Sequence, residues 1–246
     1  MIDYTKLRTV SEAKGFDQGL RDYMISVYNY MAMALLVTAL AGFVTVSFEP
    51  LKNIMFNFAP NGDVVGNSGL GFLVIIAPIF LAFYFFSNVA TLDVEKSKTL
   101  LWVYAVLTGM SLSILSFVYT DESIVRTFLI CSATFAGMGM YGYSTKKDLT
   151  AMGSFLVMGL MGLMITSLVN MFVGSESIYW ATSLIGVGIF MGLIAYDTQK
   201  LKHIYFASGG GEMGRRMAVY GAFSLYLDFI NLFLYLIRFL GVRRND

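Results

Sequence analysis

Charge is scarce in this sequence. Asp, Glu, Lys and Arg make up 13% of its 246 residues, against ~25% in soluble domains. A charge facing hydrocarbon is costly, so the deficit is what a lipid-exposed surface needs. Cysteine occurs once, at Cys131, which excludes an intrachain disulfide. Inside its apolar run Cys131 reads as a small packing residue. Three prolines leave few places where a span would be sharply broken. His203 is the only histidine. It sits just past the sixth apolar run, so a serine nucleophile in the spans would have no histidine base. The last apolar run contains no lysine for a Schiff base. No phosphate loop, Gly-x-Ser-x-Gly elbow or Cys/His zinc spacing is present, and the chain reads as a non-enzyme without a cofactor. A net charge of +1 gives no reason to expect nucleic acid as a partner.

What is present is apolar. The chain is 57% hydrophobic and 15% aromatic, with 24 Gly and 16 Met. A span needs ~20 mostly apolar residues to cross ~30 Å of hydrocarbon. Seven runs qualify, at about 23–47, 69–87, 99–119, 124–143, 152–173, 178–197 and 217–241. Residues 1–246 therefore read as a single all-α integral membrane domain of seven transmembrane helices. Residues 1–22 form a charged cytoplasmic segment, too long and too mixed in charge for a signal peptide, so the first helix is expected to stay. The longer connections are 48–68, rich in Asn, Gly and Pro, and 198–216, with Gly209, Gly210 and Gly211. With the N-terminus inside, twelve Lys and Arg fall inside and five fall outside, which favours N-in and C-out. Arg243 and Arg244 then lie on the wrong side, and a six-span chain with a re-entrant last segment would bring them in.

Small residues recur every four positions at Ala105, Gly109 and Ser113, and at Gly188 and Gly192. Such spacing marks faces where helix backbones approach. Trp102, Tyr179 and Trp180 lie near span ends and read as interface anchors.

Polar residues inside apolar spans carry more information. Gly221, Ser224, Asp228, Asn231, Tyr235 and Arg238 fall within an arc of about 100° on the last helix. Lipid cannot satisfy such a stripe, so this helix is expected to be central in the bundle, with Ser224, Asn231, Tyr235 and Arg238 lining a path. Asp228 lies ~16 Å from the inner end of the run, near the midplane. If helix six continues to Ser208 and helix seven begins at Met217, Asp197 meets Asp228 at equal depth on the neighbouring antiparallel helix. Two carboxylates so placed hold a shared proton near neutrality and titrate as a coupled pair. Deprotonated, they offer oxygen ligands that suit transient Ca²⁺.

The segments Ala195-Tyr196-Asp197-Thr198-Gln199 and Leu225-Tyr226-Leu227-Asp228-Phe229-Ile230-Asn231-Leu232-Phe233, with Arg238-Phe239-Leu240-Gly241 after them, resemble the Bax inhibitor-1 (TMBIM) family, in its bacterial branch. The resemblance implies a last helix surrounded by six others and a pH-sensitive calcium leak. It maps that family's di-aspartyl sensor onto Asp197 and Asp228. Some members latch the pair with an arginine near the inner end of helix two. Here that region has none, which leaves Lys96 or Lys98 as substitutes, although a lysine lacks the bidentate fork.

The function expected is a pH-sensitive calcium leak channel of the bacterial inner membrane, with lipid, Ca²⁺ and H⁺ as its partners. The alternative is a non-conducting regulator that binds a membrane protease or another membrane protein through residues 1–22. A weaker third reading is a proton-coupled transporter of a small solute.

Overall fold

The computed structural model describes the backbone of residues 4–89, 91–208 and 211–244, with side chains from residue 18 onward. Its first element is one long helix, α1 (Tyr4–Ser47). The charged segment through residue 22 thus continues the first span as helix, and its side chains before residue 18 lie outside the described residues. The predicted loop 48–68 holds structure of its own. A two-turn helix α2 (Glu49–Met55) leads into a short antiparallel hairpin of β1 (Phe56–Phe58) and β2 (Val64–Asn67). Gly62, at φ 88°, allows the turn, because a side chain is disfavoured there.

Six more long helices follow. They are α3 (Gly69–Asn88), α4 (Val94–Leu112) with its short continuation α5 (Leu115–Val118), α6 (Asp121–Ser144), α7 (Thr150–Val173), α8 (Glu176–Ser208) and α9 (Gly211–Leu240). Seven helices are long and apolar enough to cross a membrane. The six-span alternative falls, since α9 runs unbroken for 30 residues, or ~45 Å. Side-chain caps mark several starts. Ser68 accepts from the Gly71 N–H, Asp93 from Lys96 and Thr120 from Ser123, each satisfying an orphan donor of a first turn.

Burial grades the spans. In its most apolar window α9 is 56% buried and α7 only 6%, so α9 is interior and α7 peripheral. The last helix packs on α1, α4, α6 and α8, and Phe85 and Phe86 of α3 stack against its Phe223. The fifth span packs on α8 and turns Phe155, Met161, Ile165 and Phe172 outward, as lipid contact allows. Gly109 meets the backbone of Thr38, and the Thr38 hydroxyl reaches the Ala105 carbonyl at 3.1 Å. The Ala105–Gly109 face is therefore where α4 closes on α1. The second small-residue pair behaves differently. Gly192 touches Leu156, whereas Gly188 meets nothing, and Gly186 is where the Tyr235 ring lies against the backbone.

Candidate functional site

The site forms where α8 and α9 run antiparallel. Three contacts set its geometry. Gly221 of α9 lies so close to Leu201 of α8 that a Cβ there would collide with the leucine side chain. Gly142 of α6 packs on the backbone of Ala195, two residues before Asp197. Gln199 ties α8 to the α6–α7 connection, donating to the Lys147 carbonyl at 2.7 Å and accepting from the Leu149 N–H at 2.8 Å. The α8 segment that carries Asp197 is thereby pinned on two sides.

On this frame Ser224 donates to Asp197 Oδ2 at 2.5 Å. Asp228, one turn further along α9, is 7% exposed. Its Oδ2 is fully buried with no hydrogen-bond partner among the described residues. Asp228 follows Ser224 by one turn of α9, so the two carboxylates lie at the same α8–α9 contact. Lys200 is one turn past Asp197 on α8, within 5.9 Å of the Tyr196 ring centroid and near Tyr220. The α9 backbone beside Asp228 is held by Tyr226, a wholly buried ring whose hydroxyl lies 2.7 Å from Thr38 Oγ1 on α1.

The expected juxtaposition needs one correction. Helix six does end at Ser208, but helix seven begins at Gly211 rather than Met217. Helix seven starts six residues earlier, and Ser224 stands level with Asp197. Asp228 lies one turn, ~6 Å, further from the Gly211 end. Sequence reasoning placed Ser224 on the right face and missed that it is the direct partner.

The remaining predicted residues separate. The Asn231 amide donates to the Leu227 carbonyl of its own helix at 2.8 Å. Tyr235 stacks on Phe190 at 5.7 Å. Arg238 lies exposed at the far end of the helix. Lys96 pairs with Asp93 at 3.2 Å and Lys98 with Glu95 at 2.8 Å, both at the start of α4. Neither is among the charges acting on the carboxylates. Lys200 stands one turn from Asp197 on α8, a position readable as an i, i+3 neighbour. Cys131 is buried, its sulfur 3.7 Å from the Phe229 carbonyl, as a packing residue would be. His203 is exposed.

Acidic groups outside the spans are tuned differently. Donation from the Lys96 backbone N–H, then from its ammonium, holds the Asp93 carboxyl below the usual carboxylate range. Hydrogen bonds from Thr150, side chain and then backbone, do the same for Asp148. Both stay charged through neutrality.

These features define a polytopic α-helical membrane protein with a carboxylate buried in its most interior helix. A family model described as inhibitor of apoptosis-promoting Bax1 matches residues 20–245. The chain belongs to the Bax inhibitor-1 family. It is 54% identical over 246 residues, the whole of both chains, to an uncharacterised protein of Rickettsia prowazekii (strain Madrid E). It is 39% identical over 228 residues to the inner membrane protein YbhL of Escherichia coli (strain K12), covering 92% of this chain and 94% of that one. An uncharacterised membrane protein of Streptococcus pyogenes serotype M3 is 32% identical over 230 residues, covering 94% and 96%.

Proposed function

We propose that this protein is a pH-sensitive Ca²⁺ leak across the bacterial inner membrane, oriented N-in, with Asp197 and Asp228 as its gate. One observation carries the reading: Asp228 Oδ2 is buried without a hydrogen-bond donor among the described residues, with a second carboxyl across the α8–α9 contact. Two negative charges so enclosed repel strongly, because the local dielectric is low. A shared proton removes the repulsion and lets the helices stay packed. Loss of that proton favours separation of α8 from α9 or entry of a cation. Two carboxylates and the Ser224 hydroxyl are hard oxygen ligands, but fewer than the 6–8 that Ca²⁺ takes when tightly held. The ion is therefore substrate in transit, with Asp197 and Asp228 as passing ligands.

The test is Ca²⁺ flux into liposomes from about pH 6 to 8, spanning the window where a shared proton leaves, for wild type, Asp197→Asn and Asp228→Asn. The expected result is a wild-type flux that rises with pH and loses that dependence in both variants. Wild-type liposomes that carry no Ca²⁺ at any pH overturn the channel reading. The regulator alternative rests on residues 1–22, most of whose side chains lie outside the described residues, and no described feature favours it.

A further inference from the structure

At the end of the molecule away from Gly211, α7, α8 and α9 enclose a polar cavity of about 740 Å³. Its lining includes Asn170, Ser175, Glu176, Tyr179, Arg238 and Arg243. We propose that this cavity binds the phosphodiester of an anionic phospholipid headgroup, with Arg238 and Arg243 as the groups that hold the phosphate.

The arginines at this end are not equivalent. Arg244 is committed to Asp121 at 2.7 Å and to the Tyr119 carbonyl at 3.1 Å. Arg126 donates to the Leu240 carbonyl at 3.4 Å. Arg238 and Arg243 differ: among the described residues neither side chain meets a carboxylate or a carbonyl. Glu176 lines the same cavity and forms an ion pair with neither of them. The Arg238 guanidinium carbon stands 5.7 Å from the Tyr179 ring centroid and 5.5 Å from that of Tyr235. Cation–π attraction to the two rings holds the guanidinium without using its N–H groups as donors to a carboxylate or carbonyl. A planar fork of that kind matches a phosphate, which accepts two parallel hydrogen bonds.

The opposite wall is preformed. Asn170 and Ser175 clasp each other through two hydrogen bonds of 3.0 Å, from the amide to the Ser175 carbonyl and from the Ser175 N–H back to the amide oxygen. Gly174, at φ 67°, makes the tight turn between α7 and α8. The first turn of α8 opens on the same cavity and adds its partial positive charge.

The level of the cavity points to a lipid rather than free phosphate. Trp180, next to Tyr179, is 55% exposed and packs on Phe239, next to Arg238, at 6.1 Å. Exposed aromatic side chains at span ends sit at the headgroup layer. Arginines on the side where basic residues are disfavoured gain a reason if an anionic headgroup compensates them.

The test uses the full chain in nanodiscs of phosphatidylcholine doped with phosphatidylglycerol. Native mass spectrometry then counts the phosphatidylglycerol that leaves with the protein. Wild type is compared with Arg238→Gln, Arg243→Gln and the double variant, and helix content by circular dichroism checks that each folds. Wild type is expected to retain about tenfold more phosphatidylglycerol than the double variant, as loss of one or two charge-assisted hydrogen bonds implies. Arg238→Lys is expected to fall between them, since it keeps charge and loses the fork. Equal retention by wild type and the folded double variant overturns the site. A second arm adds inorganic phosphate in detergent and follows thermal unfolding. Arginine-dependent protection by phosphate without retention of phosphatidylglycerol overturns the lipid assignment and makes the occupant a free phosphate.

Discussion

The hydroxyl of Ser224 donates to Asp197 Oδ2 at 2.5 Å, and this bond sets the register of the two most important helices. It joins α9 to α8 one turn short of Asp228. Asp197 thus has a donor on Oδ2, whereas Asp228 Oδ2 has none among the described residues. The pair is chemically unequal although its members share a residue type.

Ser224→Ala should therefore act on the pH profile. The lost bond is charge-assisted and stabilises the ionised carboxylate by about 1.5–3 kcal/mol. Without it the charged state is harder to reach. The midpoint of flux against pH is expected to move up, by about one to two pH units at one unit per 1.36 kcal/mol. An unchanged midpoint in liposome flux would separate Ser224 from the gate.

Lys200 offers the complementary experiment. Its positive charge stands one turn from Asp197 on α8. Lys200→Gln removes that charge, so two ionised carboxylates become less tolerable and the midpoint also moves up. Lys96→Gln and Lys98→Gln, whose lysines are engaged with Asp93 and Glu95, are expected to leave it in place. A shift in either of these and none in Lys200→Gln would return the latch to the start of α4.

Asp93→Asn is a control for the pH window. The native carboxyl is held below its usual range by the Lys96 donors. Its contribution to stability is complete above about pH 4, the unfolded value, and fades as pH falls through the lower folded value. The pH profile of flux between about 6 and 8 is expected to be unaffected, because Asp93 is already ionised there. Any change in that window counts against a gate confined to the buried carboxylates.

Two glycines on α6 should answer oppositely to alanine. A Cβ at Gly142 runs into the Ala195 backbone, which cannot retreat without moving α8, while a Cβ at Gly137 meets nothing. Gly142→Ala is expected to destabilise by about 1–3 kcal/mol through overpacking. Gly137→Ala should be neutral or stabilising by up to about 1 kcal/mol, since glycine costs backbone entropy in a helix. Thermal unfolding in detergent reads both.

Much of this was legible beforehand, and the exceptions share a cause. The runs that became α3 and α7 were read to within two residues, because span length follows directly from lipid thickness. The sixth apolar run stops at 197, and Ser208 enters the sequence reading only as a condition for level aspartates; α8 does run to Ser208, but α9 starts at Gly211 rather than Met217. The hairpin after α2 was missed because its strands are three and four residues long, too short for a period-two pattern to stand out from a loop. The family pattern points to helix two and so to Lys96 and Lys98, whereas Lys200 lies one turn from Asp197 on α8 itself. The unspent arginines looked only like an anomaly of orientation.

The sequence by itself determined that the chain lives in a bilayer, carries seven runs long enough to span it, and holds a polar stripe along the last of them. Those conclusions rest on properties each residue has alone or with neighbours along one helix: transfer cost, length and a 3.6-residue period. Only the tertiary structure decided that Asp197 stands level with Ser224 and that Arg238 and Arg243 share a cavity. Each depends on how far one helix slides past another. That offset comes from contacts such as Gly221 against Leu201 and Ser224 against Asp197, between distant parts of the chain that no local pattern records.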